Sequence, residues 1–184
     1  TICNEWMSLL GTIDAGKAIN THNRGQSFFT LIGRHDDHRD ALVNALYQRD
    51  LMQQGLVIYH DYRNLDNAVT KLLANQHPED KFIKDFDNCE LDRVWHDGQP
   101  NKNYYETYNL EIVTETTVNA HFLTEKTIKP LVSKMPFLTV SSPGYLKYLQ
   151  NIGYKTFSNV FDESYDNITN TALRVQAIAD TLAT

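Results

Sequence analysis

The chain has 184 residues, 41% hydrophobic and 22% charged, with 23 acidic against 17 basic side chains. That length suits one domain with a core that needs no disulfide or metal staple, and the net charge of −6 argues against broad binding to nucleic acid or anionic membrane. No run approaches the roughly 20 apolar residues of a membrane span, and Cys3 and Cys89 are too few and too far apart for a disulfide framework or a zinc site. The expectation is a soluble protein of a reducing, cytoplasmic setting. Thr1 stands where a start methionine would, which suggests that an upstream segment has been removed.

The opening stretch, residues 1–26, offers no pattern that separates helix from strand. Legible structure begins at Ser27-Phe28-Phe29-Thr30-Leu31-Ile32-Gly33, a short apolar run ending in glycine, as a buried strand does. After the turn Arg34-His35-Asp36-Asp37-His38-Arg39-Asp40, the apolar residues Ala41, Leu42, Ala45, Leu46 and Leu51 fall near helical spacing. Asp36 or Asp37 is the expected cap of that helix. Gly55 precedes a second strand, Leu56-Val57-Ile58-Tyr59, which completes a βαβ pattern. Asn64 to Ala74 reads as a helix, and Gln76 to Asn103 as a long polar connection.

Beyond it, Tyr108 to Thr114 alternates as a strand does, and Glu125 to Ser133 reads as a short helix interrupted by Pro130. Pro136 to Val140 is a strand, and Ser141-Ser142-Pro143-Gly144 turns into a helix through Leu146 and Leu149 that Gly153 ends. Tyr154 to Phe157 reads as a further strand and Thr171 to Leu182 as a closing amphipathic helix. Alternating strands and helices imply an α/β, Rossmann-like three-layer sandwich over residues 27–184, its mainly parallel sheet covered on both faces.

In such a sheet, ligands bind beyond the carboxyl ends of the strands, where helix N-termini also point. Three segments are expected there: Gly33–Arg39, Thr124-Glu125-Lys126-Thr127 and Ser141–Gly144. They offer arginines, a lysine, a glutamate, hydroxyls and helical N–H groups, a mixture that suits a diphosphate plus a ribose. Plainer readings stand beside this one. Arg39 is expected to pair with Asp36 on composition alone, Thr124 is a ready N-cap, and Glu125 is favoured at a helix start by the dipole. His35, Asp36, Asp37 and His38 lack a recognised metal-ligand spacing, so no metal is assigned. A hydrolase using Asp36 or Asp37 has only the paired carboxylates behind it. P-loop, G-x-G-x-x-G, G-x-S-x-G and H-E-x-x-H motifs do not occur.

At these residues the chain resembles a known group. Phe122-Leu123-Thr124-Glu125-Lys126-Thr127-Ile128-Lys129-Pro130, then Pro136-Phe137 and Ser142-Pro143-Gly144, resembles the donor-binding half of GT-B glycosyltransferases. The likeness is to fucosyltransferase-type enzymes and to uncharacterised glycosyltransferases of phage and marine microbial genomes. Arg34 to Arg39 with its helix, and Gly153 to Phe157 with Asp162-Glu163-Ser164-Tyr165-Asp166, are further matching pieces. The likeness is dense only after Tyr104. Lys134-Met135 replaces the small residue expected before Pro136, Ser141 and Gly33 stand where glycine and asparagine are common, and Asp36-Asp37 dilutes the basic turn.

The resemblance implies that Arg39 and Lys126 hold the donor diphosphate, that Glu125 holds its ribose, and that Arg34 adds a phosphate contact. Thr124 and Ser142 would supply hydroxyl or backbone contacts. The implied substrate is a nucleoside-diphosphate sugar, with GDP-sugars slightly favoured, and the implied partner a carbohydrate acceptor; no further cofactor or metal is generally required. GT-B enzymes carry the acceptor and the catalytic base on a separate N-terminal domain, so no proton-transfer residue is named. The chain is then expected to be part of a longer enzyme, to work with another polypeptide or a copy of itself, or to be a noncatalytic Rossmann-like module for ligand binding or assembly.

Overall fold

The computed structural model describes residues 27–60, 65–76 and 102–184. The opening segment, residues 77–101 of the long polar connection, both cysteines and Asn64 lie outside the described residues, while the two ends of that connection, Gln76 and Lys102-Asn103, are helical. β1 (Phe28–Ile32), α1 (Asp37–Gln48), β2 (Gly55–Tyr59) and α2 (Asn67–Gln76) are followed by α3 (Lys102–Thr107), β3 (Glu111–Thr114) and α4 (Glu125–Val132). β4 (Phe137–Val140), α5 (Tyr145–Asn151), a 3-10 turn (Glu163–Asn167) and α6 (Thr171–Ala183) complete the order. The four strands form one all-parallel sheet in the order β2-β1-β3-β4, so the chain has an α/β, Rossmann-like fold.

Strand alternation sends neighbouring residues to opposite faces. Phe28 and Ile32 pack in one core cluster with Leu42, Val43 and Leu46 of α1 and Val175 and Ile178 of α6. Phe29 points the other way, into a second cluster with Tyr105, Tyr108 and Met135. Gly55 is required where β2 pairs with β1, because a Cβ there would stand 2.4 Å from the Phe28 carbonyl oxygen. From β1 to β2 the chain moves one way along the sheet, and from β3 to β4 it moves the other way. The carboxyl ends of β1 and β3 therefore flank a topological switch point, the place where open α/β sheets leave a crevice.

Three local readings are corrected. Tyr154 to Phe157 forms no strand, because the Phe157 amide donates to the Glu163 carboxylate at 2.6 Å and the Thr156 hydroxyl donates to it at 2.8 Å. Those bonds bind the segment to the 3-10 turn instead of a ladder, with the Phe157 ring edge-on to Phe137. Pro130 does not interrupt α4, which runs through it to Val132 with Pro130 buried. The third strand begins at Glu111 and not Tyr108, whose amide donates to Tyr104 and so closes α3.

Candidate functional site at the carboxyl ends of β1 and β3

The residue that organises this edge is Glu115, one position beyond β3 and fully buried. A buried carboxylate is costly unless its oxygens are bonded. Here the hydroxyls of Thr124 and Thr127 donate to it at 2.6 Å each and that of Tyr145 at 3.0 Å. The main-chain amides of Thr116 and Thr124 add longer bonds of 3.3 and 3.4 Å. The Tyr145 phenol is held firmly protonated, its pKa raised by burial and then by the Glu115 charge. One side chain thus fixes the starts of α4 and α5.

The Glu115 carbonyl oxygen fixes the start of α1. It accepts from His38 Nε2 at 3.1 Å and from Arg39 Nη2 at 3.3 Å. Arg39 Nη1 donates to the Arg34 carbonyl at 2.8 Å, and its Nε is buried without a partner. Arg39 does not pair with Asp36, as composition suggested. Asp36 instead caps α1, accepting from the His38 amide, and lies against His38 Nδ1 at 2.5 Å. Burial lowers the pKa of the His38 ring, opposed by the adjacent Asp36 charge. Burial also lowers that of Arg39, without discharging a guanidinium.

The other sequence-derived candidates fall on the same edge but are engaged differently. Thr124 caps α4, its oxygen accepting from the Lys126 amide at 3.2 Å. Lys126 Nζ donates to Glu125 at 2.9 Å and to Thr116 at 3.1 Å, so these two candidates form an ion pair with each other. Arg34 is exposed, and Ser142 is buried with its hydroxyl 2.8 Å from His121 Nδ1. The expectation of available helical N–H groups at Ser141–Gly144 is corrected. Asp166 takes them, accepting from the amides of Leu146 and Lys147, while its carbonyl accepts from the Gly144 amide. Gly144 itself sits at φ 75°, a backbone state that favours glycine.

His35 and Asp40 form a second cluster on the α1 side. His35 Nε2 lies 3.1 Å from Asp40, which also accepts from the Tyr59 hydroxyl at 2.6 Å. Burial, and then Asp40, raise the Tyr59 pKa. Among the described residues, no three His, Cys, Asp or Glu side chains gather as metal ligands. No described helix is long and apolar enough to cross a membrane.

Glu115, His121 and Tyr145 escaped the sequence reading, and His38 was weighed there as a metal ligand and not as a partner of the Glu115 carbonyl. The one available signal was a charged residue two positions after the apolar run Ile112-Val113, with threonines nine and twelve positions later. Comparison of the chain with protein-family models, curated proteins and solved structures finds no match.

Proposed function

We propose that the chain binds a nucleoside-diphosphate sugar across the ends of β1, β3 and β4, as the donor half of a GT-B-like glycosyltransferase that passes the sugar to a carbohydrate acceptor. The observation that carries this reading is the state of Arg39. It is 6% exposed, bonded only to carbonyl oxygens, and makes no ion pair among the described residues. Its charge stands at the switch point, beside the start of α1, where a diphosphate is the anion that open α/β sheets hold.

In this reading Arg39 and Lys126 stabilise the negative charge that develops on the departing diphosphate, and Glu125 turns from Lys126 to the ribose hydroxyls. That is electrostatic stabilisation by groups already in place, at a site where water is partly excluded. The carboxylate of Glu115 takes no direct part. It holds the hydroxyls of Thr124, Thr127 and Tyr145 in register, so that the starts of α4 and α5 keep fixed positions beside the site.

A noncatalytic ligand-binding or assembly module is the second reading. It is favoured by the internal capping of α1, α4 and α5 by Asp36, Thr124 and Asp166, which leaves fewer amides for an anion. Titration calorimetry with GDP, UDP and their sugars tests the first reading, which predicts one-to-one binding. No heat at millimolar nucleotide contradicts it. Transfer of labelled sugar to any carbohydrate acceptor by the chain eliminates the second.

A further inference from the structure

We infer that His121, outside every motif in the sequence, is a hydrogen-bond donor to the bound diphosphate, with its proton fixed on Nε2 by Ser142. The inference rests on the donor-binding reading of the strand ends and adds to it a residue and a role.

His121 lies in the loop between β3 and α4 and is exposed, yet its ring is held on two sides. Its plane stacks on Tyr148 of α5 with centroids 5.2 Å apart and an interplanar angle of 11°. Its Nδ1 lies 2.8 Å from the Ser142 hydroxyl. Two restraints on an exposed ring fix both its tilt and its rotation, which a loop histidine does not need for folding.

The direction of the Ser142 bond follows from hydrogen-bond accounting. Ser142 is 3% exposed, and His121 Nδ1 is the one acceptor within reach of its hydroxyl among the described residues. Were Nδ1 to carry the proton, the buried hydroxyl hydrogen would be left unsatisfied, at a cost comparable to a lost hydrogen bond. Ser142 therefore donates, Nδ1 accepts, and the ring proton resides on Nε2. The group presented to a ligand is an N–H.

The position suits the same anion as Arg39. Arg39 is tied to the residue that follows β3, and His121 to Ser142, two residues past β4. β3 and β4 are adjacent in the sheet, strands of a sheet lie about 5 Å apart, and in this inference one diphosphate spans the two strand ends to engage both groups. Lys126, five residues after His121 at the start of α4, belongs to the same rim. Ser142 is thereby a positioning residue that acts through His121, in place of the direct ligand contact that the sequence suggested.

The test is titration calorimetry of the full chain with GDP and UDP, using His121→Ala, His121→Asn and His121→Gln. Asparagine keeps a group near Nδ1 for Ser142 but has none at Nε2, whereas the glutamine amide places a donor near Nε2. The expected result is a loss of about tenfold or more in affinity for the alanine and asparagine variants, the scale of a hydrogen bond to a charged group. The glutamine variant is expected to recover most of it. Unchanged affinity in His121→Ala, with wild-type binding intact, overturns this inference and leaves the donor-binding reading standing. Absence of wild-type binding overturns both. Long-range proton–nitrogen NMR of the unsubstituted protein supplies a readout that no folding defect affects: an Nε2–H tautomer is expected, and an Nδ1–H tautomer contradicts the assignment.

Discussion

Arg39 meets Glu115 at its main-chain oxygen and not at its carboxylate. The guanidinium donates to the carbonyl at 3.3 Å, while the carboxylate accepts from Thr124, Thr127 and Tyr145. Two buried residues of opposite charge are thus neighbours without forming an ion pair. The arrangement uses Glu115 to join α1, α4 and α5 at the switch point and leaves Arg39 bonded to carbonyl oxygens alone among the described residues.

Arg39 and Lys126 are expected to separate when each is replaced by alanine. Arg39 is buried and links the turn before α1 to the end of β3, so its loss should reduce both stability and nucleotide affinity, each by about 1–3 kcal/mol. Lys126 sits in a partly exposed pair with Glu125, so its loss should cost about 0–1 kcal/mol of stability while weakening nucleotide binding. Urea unfolding alongside calorimetry checks the contrast. Equal stability losses in the two variants would contradict it.

Glu115→Gln should destabilise the chain by roughly 3 kcal/mol or more, since three hydroxyl donors, two of them at 2.6 Å, lose their carboxylate acceptor together. Glu115→Ala should be worse, because it also leaves a cavity and three orphaned hydroxyls. Denaturant midpoints measure both, and a shift below 1 kcal/mol (on the order of a surface substitution) would show that the network is not structural.

Glu111, at the start of β3 and far from the proposed site, predicts the pH dependence of stability. Burial pushes its carboxyl up to about 8, opposed by the Tyr105 hydroxyl bond and the Lys129 charge. The native state therefore keeps a proton that the unfolded chain loses near pH 4.5, the ordinary value. The contribution of Glu111 to stability is full below that pH and falls as pH rises from about 4.5 to about 8, at up to about 1.4 kcal/mol per unit. Glu111→Gln should flatten the profile over this window. Unfolding titrations of both proteins from pH 4 to 9, over roughly the interval that linkage requires, decide it, and parallel profiles would rule the assignment out.

Asp166→Ala should cost about 1–2 kcal/mol, the upper range for a lost helix cap. Its carboxylate holds the Leu146 and Lys147 amides from a distant segment. Amide exchange should accelerate at those two positions first. Unchanged protection there would show that α5 does not depend on the cap.

The fold was legible where local pattern and tertiary environment agreed. The apolar runs at Phe28–Ile32 and Phe137–Val140 could be placed because both are buried on both sides, and the cap of α1 could be narrowed to Asp36 or Asp37 because its bond is local. Tyr154–Phe157 misled because its amide partner is the side chain of Glu163, which no alternation reports. Pro130 misled because it lies in the last turn of an eight-residue helix, which ends two residues beyond it at Val132. At the site, Arg34, Arg39, Thr124, Glu125, Lys126 and Ser142 were singled out by residue type and by resemblance. Glu115 was not, because its meaning lies in partners nine, twelve and thirty residues away.

A nucleoside diphosphate is proposed to bind at the β1/β3 switch point. Backbone amide NMR during a GDP titration tests it most directly, since it reports binding and location together. Saturable shifts concentrated at residues 33–39, 115–127 and 141–144 are expected. Shifts absent at millimolar GDP, or confined to the opposite end of the sheet around Glu111, would contradict it.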